Sequence, residues 1–323
     1  MKIKGIGVGF GVISGITWAL DSILIGLLLS KGLSVPNGNV VFLAPLVSTF
    51  LHDSLSTFWV AVYLVLRGNF FTAISKIRTK SGRFVILAAL LGGPVGMTFY
   101  TLSIQYIGSS YAASFSAVYP AVGAFFAFLL LKDRLSIKNW IGLFISILFI
   151  FILGYSSGKF VSPNNILGFF FILICIFGWG MESVIIAYGM KDDEISPEES
   201  LQLRQLTSAL SYGLIIIPVF KGYSIVSEVV INPEIFFILL IALAGSISYF
   251  FYYKAINIIG PTRAMALNIS YSAWTIILGF LIVGTPLTFK LLFCSIMIIL
   301  GSTLTVANTN KVSIKNLIKK KLA

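Results

Sequence analysis

Apolar residues run along this chain in ten stretches long enough to cross a membrane. They lie near 6–30, 40–66, 84–107, 110–131, 137–156, 166–189, 202–220, 235–255, 262–283 and 287–307. Each predicts a helix, because lipid offers no hydrogen-bond partner to an open backbone. Pro36-Asn37-Gly38-Asn39, Ser162-Pro163-Asn164-Asn165 and Asn232-Pro233 predict turns between them, and the charged runs 76–83, 191–199 and 311–321 predict interfacial segments. The first run follows Lys2 and Lys4 as a signal peptide would. It is too long for a leader's apolar core, and it contains Trp18 and Asp21.

Composition agrees with this pattern. Of 323 residues, 58% are hydrophobic and only 11% charged, with a mean hydropathy of +0.99, so lipid rather than water is the expected solvent. Ten spans leave no room for a sizeable soluble domain. The net charge of +12 does not predict nucleic-acid binding, since no compact basic domain with interleaved aromatics carries it. With the N-terminus inside, 19 of the 23 basic residues fall on the cytoplasmic side and only Lys31, Lys159, Lys221 and Lys290 opposite. That split predicts a multi-pass protein with both termini cytoplasmic.

Sliding the second half over the first exposes a repeat. At a constant offset of 152, Phe99-Tyr100 meets Phe251-Tyr252, Ile107-Gly108 meets Ile259-Gly260, Tyr119 meets Tyr271 and Phe128-Leu129 meets Phe280-Leu281. At 161, Trp18, Asp21 and Ser22 meet Trp179, Glu182 and Ser183. The expected architecture is therefore all-α and integral to the membrane: ten transmembrane helices as two five-helix repeats, 1–157 and 158–310, followed by a basic cytoplasmic tail, 311–323. An odd number of helices per repeat inverts the second against the first, which predicts a solute site near the midplane and alternating access.

Trp18, Asp21 and Ser22 share one helix face, as do Trp179, Glu182 and Ser183. A carboxylate at membrane depth costs roughly 2.5–3.5 kcal/mol, so its presence suggests a function; the plainer alternative is an ion pair or a protonated, hydrogen-bonded acid. Arg204 and Lys254 are expected nearer the cytoplasmic face, leaving no fixed cation at the depth of Asp21 and Glu182. Such an acid would stay protonated or take its counter-charge from a solute, and Glu182 would then be suited to exchanging a proton for a cation. Tyr119, Tyr271 and Trp274, with Trp18 and Trp179, predict an aromatic cage for a cation, and Ser116 and Asn268 match across the repeat. Taken singly, each ring is as readily packing or an interfacial anchor. The lone His52, beside Asp53, suits either a hydrogen bond to a neighbouring helix or, with Asp53 and Glu182, a gate or proton relay. Cys175 and Cys294 lie in apolar runs as core residues. No nucleophile elbow, P-loop or zinc helix motif occurs, so no enzyme and no cofactor is expected.

These residues resemble the EamA-type branch of the drug/metabolite transporter superfamily, in the duplicated halves, the helix-1 tryptophan and the link Lys132-Asp133-Arg134-Leu135-Ser136. The likeness is strongest to the LicB-type choline permeases of bacteria, through GPVGM at 93–97, YIGSSYAASFSAVYPA at 106–121, WGMESV at 179–184, LRQLTSALSY at 203–212, ISYFFYYKAIN at 247–257 and LNISYSAWT at 267–275. It implies choline uptake across a bacterial cell membrane, with choline held by Trp18, Tyr119, Trp179 and an aromatic between Tyr271 and Trp274, and Glu182 nearby. Proton or sodium coupling and facilitated flow are both open. So is a rival reading as an exporter of amino acids, amines or drugs. The expected partners are a small cationic solute and membrane lipid, with a homodimer compatible and nucleic acid excluded. Asp21 departs from the Gly-rich helix 1 of those permeases, and Lys254 stands where an apolar residue is expected.

Overall fold

The structure, a computed structural model, describes residues 2–30, 40–107, 109–155, 165–233 and 235–306. The turn expected at 36–39, most of that at 162–165, and the basic tail at 311–323 lie outside the described residues. Among these residues all regular structure is helical. The first half comprises α1 (Lys2–Ser30), α2 (Val40–Leu66), α3 (Phe70–Ser75), α4 (Lys80–Leu90), α5 (Thr98–Ile107), α6 (Ser109–Ser116), α7 (Tyr119–Leu131) and α8 (Ile137–Tyr155). The second comprises α9 (Asn165–Gly189), α10 (Pro197–Ser211), α11 (Ile217–Val219), α12 (Tyr223–Ile231), α13 (Ile235–Ile259), α14 (Pro261–Asn268), α15 (Tyr271–Leu278) and α16 (Phe289–Val306).

Among the described residues, eight helical segments are long and apolar enough to cross a membrane, which makes this a multi-pass membrane protein. The stretches expected at 110–131 and 202–220 are not among the eight. The first is divided between α6 and α7 at residues 117–118, leaving only the shorter apolar helix Tyr119–Leu131; the second begins as the polar α10.

The expected spans 110–131 and 262–283 are broken helices. The break at 117–118 has its counterpart at 269–270, between α14 and α15, at the same offset of 152 that relates the sequences. In the first half, Pro120 enters the new helix without an N–H to donate. In the second, the Ser270 hydroxyl donates to Leu267 O at 2.6 Å, a local bond that competes with the helical ladder. A third irregularity lies between α4 and α5, where Leu91–Met97 widens into a π-helical turn around Pro94. Irregular backbone at membrane depth is tolerated where it faces a cavity or is buried in protein.

The helices cross between halves: α1 packs on α13, α8 on α16, α2 on α10, and α9 on α4, α5 and α7. Small residues permit the closest approaches, as where Gly142 of α8 faces Gly301 of α16. Gly260, at φ +87°, makes the turn from α13 into α14 in a conformation that L side chains avoid. It leaves the Arg263 guanidinium to bond the Asp133 carboxylate at 2.8 Å, a buried tie between the link after α7 and α14. Lys254 does more than carry its charge to the interface: its ammonium meets Glu198 at 3.0 Å and lies over the Phe250 ring at 4.1 Å. Outside the spans, the Ser81 hydroxyl, and after it the Ser81 N–H that the carboxylate accepts at 3.1 Å, hold Glu194 below the usual carboxylate range.

Candidate functional site

The π-helical turn, the breaks in the two discontinuous helices and the middles of α1, α2, α9, α10 and α13 enclose a cavity of about 420 Å³. Its walls are aromatic and related by the repeat. Trp18 meets Tyr271 at 6.5 Å between ring centroids and 78° between planes, while Trp179 meets Tyr119 at 6.0 Å and 85°. Each tryptophan of one half thus stands edge-on to a tyrosine of the other, in the geometry that ring quadrupoles favour. Each also has a second neighbour at 5.2 Å, Tyr249 for Trp18 and Tyr100 for Trp179. The π-helical turn frees the carbonyl of Gly92 to accept the Trp179 indole N–H at 3.1 Å, fixing that ring. Tyr119 donates to Asn268 Oδ1 at 3.3 Å, and the Asn268 amide donates to Ser14 Oγ at 3.1 Å.

Trp18, Asp21, His52, Asp53, Tyr119, Trp179, Glu182, Asn268 and Tyr271 therefore all line one cavity. Trp274 does not. Three residues at about 100° each carry it roughly 60° round α15 from Tyr271, and its ring lies against Gly15 of α1, where an added Cβ would stand 3.6 Å from Cδ1.

The charged residues form a chain. Arg204 donates from Nε to Glu182 Oε1 at 2.9 Å and from Nη1 to Asp53 Oδ2 at 3.1 Å. A further bond from Nη2 reaches the Tyr249 hydroxyl at 3.1 Å, with the guanidinium carbon 4.6 Å from that ring's centre. On the other side of Asp53, His52 Nδ1 lies 3.1 Å from Asp53 Oδ1, and His52 Nε2 lies 3.4 Å from Asp21 Oδ1. The order along the cavity is Glu182, Arg204, Asp53, His52, Asp21. All are at most 13% exposed at the side chain.

This corrects the expectation that no fixed cation reaches the acids. The sequence pattern starts the seventh span at 202 and so puts Arg204 at its mouth. The helix starts earlier, at Pro197, capped by Ser196 and Glu199 in a reciprocal box. Five residues at 1.5 Å each set Arg204 about 7.5 Å deeper along the helix. In the sequence the capping segment reads as part of the interfacial charged run 191–199, which hides the true start. Glu182 is consequently an ion-pair partner, not a carboxylate awaiting one.

Arg204 is the principal site residue that the sequence reading missed, and a signal for it exists. Carried into α2 and α10, the offset of 152 places Ser48 on Ser200, Leu51 on Leu203, His52 on Arg204 and Ser56 on Ser208. The pairs Asp21–His52 and Glu182–Arg204 are then repeats of one acid–base arrangement. Tyr100 and Tyr252 also line the cavity and also match at 152, a repeat pair to which the sequence alone assigns no role.

Space for these groups depends on glycine. A Cβ at Gly92 would overlap Glu182 Oε2, and one at Gly245 would overlap His52 Nε2 and stand 3.1 Å from Asp21 Oδ1. Among the described residues, no three His, Cys, Asp or Glu side chains are grouped to hold a metal ion.

Known proteins resemble this chain in sequence or in fold. The chain is 31% identical to Protein LicB of Haemophilus influenzae over 304 residues, covering 92% of this chain and 96% of that protein. A solved crystal structure superimposes with a TM-score of 0.66 at 15% identity, covering 94% of this chain and 99% of the other, a likeness of fold alone. The EamA-like transporter family matches twice, over residues 5–155 and 166–307. The chain belongs to the EamA-like transporter family, and is a transporter rather than an enzyme.

Proposed function

We propose that this protein carries a small, singly charged organic cation across a bacterial cell membrane, with choline the best-suited solute, by alternating access of the aromatic cavity. The observation that carries this reading is an excess of acids over bases. His52 presents a ring nitrogen to a carboxylate on each side, 3.1 Å from Asp53 and 3.4 Å from Asp21. Three acids, Asp21, Asp53 and Glu182, line the cavity with two bases, His52 and Arg204. The acids outnumber the bases by one, inside walls whose π-faces attract cations. A quaternary ammonium head fits both features, since it needs a counter-charge and aromatic faces and offers no N–H to satisfy.

The machinery in this reading is ten membrane-crossing segments in two inverted five-helix repeats, both termini cytoplasmic. The breaks at 117–118 and 269–270 support it, because discontinuous helices commonly frame the solute site of inverted-repeat carriers. Trp18, Tyr119, Trp179 and Tyr271 form the cage, Asn268 orients Tyr119, and Asp21 supplies the counter-charge. Trp274 supports α1 from behind. His52, Asp53 and Glu182 are the candidate relay if a proton gradient drives uptake; sodium coupling is the alternative.

Thermal stabilisation of purified protein tests the solute class, because a ligand bound to the folded state raises its apparent stability. Choline is expected to raise the melting temperature, and neutral or zwitterionic amino acids are not. A shift with amino acids and none with choline in folded protein would transfer the reading to the amino-acid exporter. Uptake of labelled choline into vesicles, with and without proton or sodium gradients, then reads direction and coupling.

A further inference from the structure

We infer that Arg204 sets the number of charges this cavity accepts, by occupying with the protein's own guanidinium the second of two repeat-related cation positions. The inference rests on the organic-cation reading above and specifies how its site counts charge.

The repeat supplies two acids, Asp21 in α1 and Glu182 in α9, each one helical turn from its tryptophan. It supplies two partners at matching positions, His52 in α2 and Arg204 in α10. The two halves use these differently. Arg204 meets Glu182 within hydrogen-bond distance, extends to Asp53 and Tyr249, and is 2% exposed. A guanidinium does not lose its proton in a protein, so this half of the site is permanently filled. In the other half, His52 Nε2 stands 3.4 Å from Asp21 Oδ1, and both atoms are buried without a hydrogen-bond partner among the described residues. Asp21 is 2% exposed, lines the same cavity as Trp18, and is the acid left open to an incoming cation.

The two positions are therefore alike in their acids and their rings, and unlike in their occupant. Arg204 lies over the Tyr249 ring, itself 5.2 Å from Trp18, much as a solute cation would lie over an aromatic face. A second positive head entering with the first would meet this guanidinium in a desolvated space, where like charges repel strongly. Removing the guanidinium leaves Glu182 and Asp53 without it and opens the second position.

Matched probes test this on the purified full-length protein: tetramethylammonium, and a bis-quaternary diammonium in which two such heads are joined by an ethylene link. Apparent Kd values come from ligand-dependent thermal shifts. Wild type is expected to prefer the single head by at least tenfold. R204Q is expected to reverse the order, favouring the diammonium by tenfold or more. E182Q/R204Q removes one charge of each sign, leaves less uncompensated, and is expected to keep the wild-type order; it carries the test if R204Q does not fold. Equal binding of both probes by wild type, an unchanged order in folded R204Q, or a diammonium preference in the double variant would overturn the assignment. Failure of the organic-cation reading looks different, because then neither probe nor choline would shift wild type at all.

Discussion

Nε of Arg204 donates to Oε1 of Glu182 across 2.9 Å, in a cavity where neither side chain is more than 11% exposed. The same guanidinium serves Asp53, so its loss takes a partner from two carboxylates and leaves Asp53 with His52, whereas loss of Glu182 strands none. Breaking a buried pair by removing one partner typically costs about 3–5 kcal/mol. R204Q is expected to fall in that range and E182Q well below it, since Arg204 keeps Asp53, Gln205 and Tyr249. Chemical or thermal unfolding in detergent checks the order; E182Q as damaging as R204Q would place the weight of the network on Glu182 instead.

The glycines facing the charged chain give a second expectation. G92A brings a methyl group into the Glu182 carboxylate, and G245A brings one into the His52 ring. Both are expected to lower choline affinity by tenfold or more, because the displaced group belongs to the network that positions the site. Among the described residues nothing lies within 4 Å of a Cβ added at Gly9, so G9A is the control and is expected to bind as wild type. Binding isotherms on the three variants decide the matter, and a G9A defect equal to the others would reduce the effect to helix propensity or folding.

The repeat predicts matched effects from distant sequence positions. Trp18 and Trp179 stand in nearly the same relation to Tyr271 and Tyr119. A cation–π contact is worth about 0.5–2 kcal/mol, so W18L and W179L are each expected to weaken choline binding by about 2- to 30-fold, with W18F and W179F milder. Trp274 lies behind Gly15 and outside the cavity, so W274L is expected to change stability more than affinity. Direct binding measurements separate these outcomes.

Much of this site was legible because a duplicated sequence reports on itself. Asp21 and Glu182 were found through the tryptophans one turn before them, and Tyr119 and Tyr271 through an offset that holds without a gap. What stayed hidden had physical causes. Hydropathy marks where a span becomes apolar, but α10 is buried while carrying Glu199, Gln202, Arg204 and Gln205, so its true start looked like interface. The helix breaks leave little hydropathic trace, because a two-residue turn changes backbone direction without changing composition. Trp274 misled for the opposite reason: its spacing from Tyr271 is close to one turn, and a rotation of about 60° suffices to move a ring from a cavity to a helix interface.

Two ion pairs at the ends of helices offer a contrast that burial alone decides. Arg263 and Asp133 meet at 2.8 Å with side chains 6% and 2% exposed, and the guanidinium also reaches the carbonyls of Ile259 and Arg134. Lys254 and Glu198 meet at a similar 3.0 Å, but at 26% and 21% exposure. Distance would rank them together. Solvent screens the second pair, so E198Q is expected to cost no more than about 1 kcal/mol. D133N leaves the Arg263 guanidinium buried without its carboxylate and is expected to cost about 3–5 kcal/mol. The double variant D133N/R263Q removes both charges, and is expected to recover part of that loss. If D133N and E198Q melted together in a thermal scan at both low and high salt, the buried pair would contribute no more than the exposed one, and the tie between the α7 link and α14 would rest on packing alone.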